Sequence, residues 1–156
     1  MARGTLEIGR PAPPFQLAGT AGDWSLTAAP GTPRVLYFYP RDNTPGCTAE
    51  GRAFAAGHAR FRAAGATIVG ISPDSVESHR KFKAKFAFPF ELLSDPDRRV
   101  CELYGVIREK RLCGRKFLGV ERSTFLIDAQ GVLRQEWRKV KVDGHAEAVL
   151  AAVKAL

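Results

Sequence analysis

Two runs of apolar residues stand out in the first half of the chain, and a helix signal follows each. The sequence RVLYFY at residues 34–39 lies between prolines, and ATIVGIS at residues 66–72 precedes a Pro-Asp-Ser turn. Short runs of β-branched and aromatic residues predict buried strands. After the first run, Thr44 and Pro45 are typical of a helix start, and the alanine-rich stretch behind them ends at Gly65.

The other segments continue this alternation of strands and helices. The predicted elements are a hairpin over residues 11–26, a helix over 75–87, a short strand over 90–93, a helix capped at 95–97 and ending near Tyr104, a hairpin over 123–128 and 132–140, and a helix over 144–156. Residues 106–121 are basic and irregular and contain two glycines, which predicts a long loop. The order indicates an α/β fold with a central mixed sheet flanked by helices and an N-terminal β-hairpin extension.

Composition limits the class of protein. The chain has 156 residues, 45% of them hydrophobic and 26% charged, which fits a single domain over residues 1–156 and excludes a disordered tail. No apolar run approaches the roughly 18 to 20 residues of a membrane span. Because the first residues lack a secretory signal, we expect a cytoplasmic protein, and we expect a monomer or weak dimer.

The basic character of the chain raises a second possibility. Lys and Arg number 24 against 16 acidic residues, for a net charge of +8, so a nucleic-acid or partner-binding module on the same fold stays open as an alternative function. The cations fall in separate groups with no recognition-helix, zinc-finger or RNP-type pattern. Solvated faces of a basic protein explain them more simply, and nucleic acid is not the expected partner.

The three cysteines point to thiol chemistry rather than to a scaffold. Cys47, Cys101 and Cys113 are odd in number and far apart, which argues against a disulfide framework. No C-x-x-C pair occurs, and no histidine stands at a zinc-ligand spacing from a cysteine. The sequence therefore predicts neither a metal site nor a cofactor. It also offers no signal for a Cys-His hydrolase, because nothing in it places a histidine beside Cys47.

Cys47 lies where a buried strand ends and a helix begins. With Thr44 as the cap, Cys47 falls in the first helical turn, where unpaired N–H groups and the helix dipole favour an anion. This position favours the reactive thiolate over the thiol. The alternative is a small apolar residue packed under the helix start. The surrounding Pro40, Thr44, Pro45 and Gly46 form a constrained polar turn, which favours the reactive interpretation.

The segment FYPRDNTPGCTAE resembles the active-site segment of the peroxiredoxins, whose signature is Pro, three residues, Thr, two residues, Cys. Pro40, Thr44 and Cys47 meet this signature. Within the family the chain is similar to the bacterioferritin-comigratory-protein or PrxQ group, through PAPPF, GISPDSVESHRKF, FPFELLSDPD and GVERSTFLID. The resemblance runs from about residue 6 to residue 156 and implies a thioredoxin-like fold and thiol-dependent reduction of hydrogen peroxide or organic hydroperoxides.

The resemblance also implies a role for each matching residue. Cys47 matches the cysteine that attacks the peroxide, and Thr44 and Pro40 match the turn around it. Arg122 in GVERSTF matches the active-site arginine, and Glu50 matches a position that orients the local network. We expect Arg122, the Thr44 hydroxyl and the N–H groups after Gly46 to donate hydrogen bonds to the peroxide oxygens.

The residue that resolves the Cys47 sulfenic acid departs from the family pattern. Where many PrxQ-type proteins have a second cysteine, five residues on or in the next helix, this chain has Arg52 and Lys83. Cys101 is expected in the core. Cys113 in the basic segment RLCGRK is the candidate for an intramolecular disulfide, and direct attack by an external thiol is the competing route. Thioredoxin or glutaredoxin is the reductant that the resemblance suggests.

Overall fold

The computed structural model describes residues 6–27 and 31–156, so residues 1–5 and 28–30 of the predicted domain lie outside the described part. Four helices and nine strands follow one another in it. They are β1 (Gln16–Gly19), β2 (Gly22–Ser25), β3 (Arg34–Phe38), α1 (Pro45–Ala63), β4 (Thr67–Ser72), α2 (Val76–Phe86), β5 (Glu91–Ser94), α3 (Arg99–Leu103), β6 (Ile107–Leu112), β7 (Arg115–Val120), β8 (Ser123–Ile127), β9 (Leu133–Trp137) and α4 (His145–Lys154).

Seven of these strands form one mixed sheet in the order β2-β1-β5-β4-β3-β8-β9. Strands β3, β4 and β5 are parallel, β8 pairs antiparallel with β3, and the N-terminal hairpin adds β1 antiparallel to β5. All five residues of β3 are buried, because both faces of a central strand are covered. The predicted central mixed sheet and N-terminal hairpin are confirmed.

Two apolar clusters cover the two faces of this sheet. Side chains of α1, α2 and α4, among them Phe54, Phe82 and Val149, pack on one face. On the other face lie α3, the segment before β1 and the start and end of the β6–β7 region, represented by Tyr104 and Val120. No helix within the described ranges is long and apolar enough to cross a membrane.

The predicted loop over residues 106–121 is wrong, because this segment is a hairpin. Strands β6 and β7 pair antiparallel from Ile107↔Val120 to Leu112↔Arg115 and form a separate two-stranded sheet. Cys113 and Gly114 make the two-residue turn with φ values of 53° and 77°, as a tight hairpin turn requires. The sequence pattern does not indicate these strands, because most of their side chains are exposed and charged and no apolar alternation is present.

Candidate active site

Cys47 is the third residue of α1, directly behind the turn that leaves β3. Pro45 occupies the first helical position, where its missing N–H costs no hydrogen bond. The side chain of Cys47 is only 1% exposed and borders the apolar cluster of α1, so it is more enclosed than the sequence suggests. The first-turn N–H groups of α1 have no acceptor within the helix and are available beside the sulfur.

The sulfur of Cys47 has a cationic neighbour. The Nη2 atom of Arg122 donates to Cys47 Sγ at 3.4 Å, across 75 positions of sequence. Arg122 lies between β7 and β8, so the sheet order brings it to the end of β3, where α1 begins. Burial alone would lower the pKa of Arg122, but the charges of Glu50 and Cys47 outweigh it and raise the pKa. The guanidinium is therefore a permanent cation at this sulfur.

Glu50, one turn further along α1, holds the other end of the same guanidinium. Its Oε1 accepts from Arg122 Nη1 at 2.8 Å. The Glu50 side chain is 1% exposed, and its Oε2 has no hydrogen-bond partner among the described residues. Burial raises the pKa of Glu50 to about 7 despite the opposing charge of Arg122. A carboxyl with this pKa exchanges a proton near neutral pH, one helical turn from Cys47.

Gly46 leaves the space that the guanidinium occupies. A β-carbon on Gly46 would lie 2.9 Å from Arg122 Nη2, closer than carbon and nitrogen approach without displacement. The glycine between Pro45 and Cys47 therefore lets Arg122 reach the sulfur. This contact gives a physical reason for a small residue at this position.

Thr44 and Pro40 frame the turn, and the structure corrects the expected role of the Thr44 hydroxyl. Thr44 has the backbone conformation of a cap, but its side chain does not cap α1. Instead its hydroxyl donates to the carbonyl oxygen of Arg41 at 2.9 Å. With its proton used there, the Thr44 oxygen is left to act as an acceptor and not as the expected donor. Pro40 follows Tyr39, whose backbone N–H donates to the carbonyl oxygen of Ile71 in β4 at 3.0 Å.

A buried polar network behind the turn was missed by sequence reasoning. Asp42, to which the sequence analysis assigns no role, accepts hydrogen bonds from the Tyr39 hydroxyl at 2.6 Å and from Ser78 Oγ at 2.8 Å. Its Oδ2 also lies 2.7 Å from His79 Nδ1, and its backbone N–H donates to Asp74 Oδ2 at 2.8 Å. These bonds fasten the turn before Cys47 to the start of α2.

His79 completes this network from α2. It is fully buried, and its Nε2 donates to the carbonyl oxygen of Leu93 in β5 at 2.8 Å. Asp42, Asp74 and His79 also lie close enough together to hold a metal ion, but each already has hydrogen-bond partners in this network. No local spacing signals the arrangement, because the two segments meet only through the pairing of β3, β4 and β5.

The other two thiols differ sharply in exposure. Cys101 is fully buried in α3, as expected of a core residue, and burial together with Asp95 raises its pKa. Cys113 is exposed at the tip of the β6–β7 hairpin. Of these two thiols, only Cys113 is exposed in the folded protein.

The two positions where the family has a second cysteine carry cations here. Arg52 is exposed on α1. Lys83 of α2 forms an ion pair with Glu91 of β5, with Nζ and Oε1 2.7 Å apart. The position in α2 therefore links this helix to β5 through an ion pair and offers no thiol.

Comparisons with known proteins agree with this geometry. Residues 8–136 match the AhpC/TSA family. Peroxiredoxin Bcp of Xanthomonas campestris is 52% identical over 142 residues, which cover 91% of this chain and 88% of that protein. Peroxiredoxin Bcp of Bacillus subtilis is 46% identical over 151 residues, 96% of each chain.

A solved structure shows the same likeness in three dimensions. The bacterioferritin comigratory protein of Xanthomonas campestris, studied for its alkyl peroxide reduction activity, superposes with a TM-score of 0.86 at 51% identity. The alignment covers 90% of each chain. At this similarity the two chains share one fold.

Proposed function

The chain belongs to the AhpC/TSA family, in its bacterioferritin comigratory protein group of peroxiredoxins, and we propose that Cys47 is the sulfur with which it reduces peroxides. Like its family, the protein is a thiol-dependent peroxidase with the thioredoxin-like fold. The observation that most supports Cys47 is the Arg122 guanidinium 3.4 Å from its sulfur. Cys101 has no such neighbour and is fully buried.

The proposed reaction begins when the Cys47 thiolate attacks the terminal oxygen of the peroxide. A sulfur–oxygen bond forms as the oxygen–oxygen bond breaks, so the sulfur is oxidised to a sulfenic acid, and the leaving oxygen takes up a proton from solvent and departs as water or an alcohol. Negative charge grows on the leaving oxygen. Arg122 and the N–H groups at the start of α1 stabilise this charge, each by about 3 kcal/mol where the donor is preorganised.

Thr44 and Glu50 have separate proposed roles around the peroxide. The Thr44 oxygen accepts the peroxide's own hydrogen, since its hydroxyl proton is already bonded to Arg41. Glu50 fixes the guanidinium through its 2.8 Å bond to Nη1 and so keeps Nη2 at the sulfur. Pro40 limits access to the turn. We propose hydrogen peroxide and organic hydroperoxides as substrates, in keeping with the alkyl peroxide activity studied in the Xanthomonas protein.

Two recycling routes follow from the thiols available. In the first, the Cys113 thiol condenses with the Cys47 sulfenic acid, which releases water and forms an intramolecular disulfide. In the second, an external thiol attacks the Cys47 sulfenic acid, which releases water and leaves a mixed disulfide that a second thiol reduces. Exposure of Cys113 supports the first route, although a disulfide also requires α-carbons within about 7 Å of each other. Peptide mapping after one equivalent of peroxide separates the two, because a free Cys113 beside oxidised Cys47 eliminates the disulfide route.

The partners follow from the same chemistry. We propose thioredoxin or glutaredoxin as the reductant, and the cytoplasm, where such thiols are kept reduced, as the compartment. The whole chain would act as one peroxidase domain and as a monomer or weak dimer. The small number of large apolar side chains exposed by the described residues supports a monomer or weak dimer. They are Ile8, Leu112, Phe117, Leu118 and Leu156.

Peroxide consumption supported by dithiothreitol tests the proposal. Wild-type protein and Cys113→Ser protein should both consume hydrogen peroxide, since dithiothreitol can reduce Cys47 directly, and Cys47→Ser protein should not. If Cys47→Ser protein keeps more than about a tenth of the wild-type rate, Cys47 is not the reacting sulfur.

A further inference from the structure

The β6–β7 hairpin lies outside the main sheet and combines charge with exposed apolar side chains. It carries one acidic residue, Glu109, and a set of cations, namely Arg108, Lys110, Arg111, Arg115 and Lys116. Leu112, Phe117 and Leu118 are exposed by 67%, 45% and 60%. Exposed leucine and phenylalanine within a cationic surface are costly to leave in water and are typical of a contact surface.

The strand register divides these side chains between two faces. Directly paired residues share a face, and neighbours along a strand alternate. The first face, here called the site face, comprises Arg108, Lys110, Leu112, Arg115, Phe117 and Gly119. The second, here called the outer face, comprises Ile107, Glu109, Arg111, Lys116, Leu118 and Val120. Toward the tip of the hairpin each face presents an exposed leucine and cations, so the two faces can be compared there, whereas at the base Val120 of the outer face packs in the core.

The site face leads to the reacting sulfur. A β-carbon on Gly119 would lie 3.3 Å from both Lys110 Cδ and Phe117 Cε2, so these two side chains cover the end of β7 nearest Arg122. Burial lowers the pKa of Lys110, the charge of Arg122 lowers it further, and the charge of Cys47 opposes both. The ammonium group of Lys110 is thus within electrostatic reach of Cys47 and Arg122.

We propose that the site face of the β6–β7 hairpin is the docking surface for the protein that reduces oxidised Cys47, and that this reductant presents an acidic rim around an apolar patch. The inference rests on the proposed function. Phe117 and Leu112 would be the apolar anchors, and Arg108, Lys110 and Arg115 the cationic rim. A second copy of this chain fits less well, because it would bring the same cations together.

The position of the site face explains why a protein reductant would meet it. Cys47 is 1% exposed and lies near the C-terminal end of β7, the strand that precedes Arg122. A protein thiol donor that approaches Cys47 would therefore contact the β6–β7 hairpin. A small dithiol needs no such contact. Electrostatic attraction between the hairpin and an acidic partner would mainly speed association and fall with ionic strength.

The test compares one altered pair on each face. Leu112→Ser with Arg115→Glu changes the site face, and Leu118→Ser with Arg111→Glu makes the same chemical change on the outer face. With a thioredoxin of net negative charge as the reductant, kcat/KM for thioredoxin should fall about tenfold or more in the site-face variant and stay within about twofold in the outer-face variant. Added salt should lower the wild-type value and reduce the difference.

Dithiothreitol-supported peroxide consumption separates docking from catalysis. Both variants should keep the wild-type rate in that assay, because the small thiol does not use the hairpin. A lower rate in the dithiothreitol assay would show a fault in catalysis or folding and would not test the docking surface. In that case Phe117→Ser, which leaves the charges of the site face intact, would repeat the site-face test. Equal effects on the two faces, or no effect on either, would overturn the proposal. So would an oligonucleotide that binds the site face while kcat/KM for thioredoxin is unchanged by the site-face variant.

Discussion

The missing side chain of Gly46 gives the guanidinium of Arg122 its place at the sulfur. Gly46→Ala should push the Nη2 atom away, because the new carbon would lie 2.9 Å from it. We expect the second-order rate with hydrogen peroxide, measured by stopped flow, to fall about tenfold while the protein stays folded. Gly57→Ala on the same helix is the control, since its nearest neighbour would be 3.6 Å away and the rate should not change.

Removal of the cation itself should cost more than its displacement. Arg122→Ala is expected to lower the same rate at least about a hundredfold, because a donor to the developing charge is lost. Arg134→Ala, which removes a half-exposed arginine paired with Asp128, should leave the rate unchanged. An Arg122→Ala rate within about threefold of wild type would remove Arg122 from the mechanism.

The raised pKa of Glu50 predicts that the free energy of unfolding depends on pH. Its pKa is raised to about 7, so between its ordinary value of 4.5 and 7 the unfolded chain loses this proton more readily than the folded chain, and stability falls as pH rises. Glu50→Gln keeps an acceptor for Arg122 and removes the titration. Relative to wild type, it should gain about 2 to 3 kcal/mol in free energy of unfolding between pH 4.5 and pH 8.

Denaturant unfolding of both proteins at these two pH values measures the effect. A difference between the proteins that does not grow with pH would show that the Glu50 carboxyl ionises as freely in the folded protein as in the unfolded one.

The sequence located residues whose chemistry shows in a local motif and missed those whose role depends on distant contacts. Cys47 and Thr44 lie within one turn at a helix start, and Glu50 and Arg122 were singled out because their positions match a known family. The direction of the Thr44 hydroxyl was mistaken because it depends on the carbonyl of Arg41. Asp42 and His79 were not assigned a role, since a hydrogen bond across 37 positions leaves no spacing to detect.

At the scale of elements, the Asp42 network holds the turn before α1 against α2 and β5. Asp42→Ala should lower the free energy of unfolding by about 3 kcal/mol, because it removes the partner of the buried Tyr39 hydroxyl and His79 ring and of the partly buried Ser78 hydroxyl. Asp23→Ala on the exposed strand β2 should change it by less than about 0.5 kcal/mol. Chemical denaturation measures both. A loss below 1 kcal/mol for Asp42→Ala would mean that water replaces these bonds at little cost.

Elements with a buried face were predicted within a few residues of their ends, and the one without a buried face was not. Strand β3 is buried throughout, so its apolar run is unmistakable. Strands β6 and β7 bury only their ends near the core, and their charged residues satisfy no apolar pattern. Cys113 at the turn, with φ of 53°, hid the hairpin further, because Asn or Asp is the usual partner of glycine there.

For the molecule as a whole, the two clusters around the sheet divide the thiols by accessibility. Cys101 lies fully buried between the sheet and α3, and Cys113 is exposed. An alkylating reagent should therefore label Cys113 in the native protein and Cys101 only when the protein unfolds globally. Mass spectrometry of the labelled peptides at increasing denaturant measures this. Labelling of Cys101 well below the unfolding midpoint would indicate that α3 opens independently.

The ion pair between Lys83 and Glu91 bears on what moves when the protein is oxidised. Glu91 also accepts a hydrogen bond from Thr20, so α2 is joined through it to β5 and the N-terminal hairpin. Because α2 carries no thiol, neither recycling route requires this helix to unwind. Its backbone amides should therefore exchange with deuterium equally slowly before and after a stoichiometric dose of peroxide, and the helix would keep its place against β5 throughout the catalytic cycle.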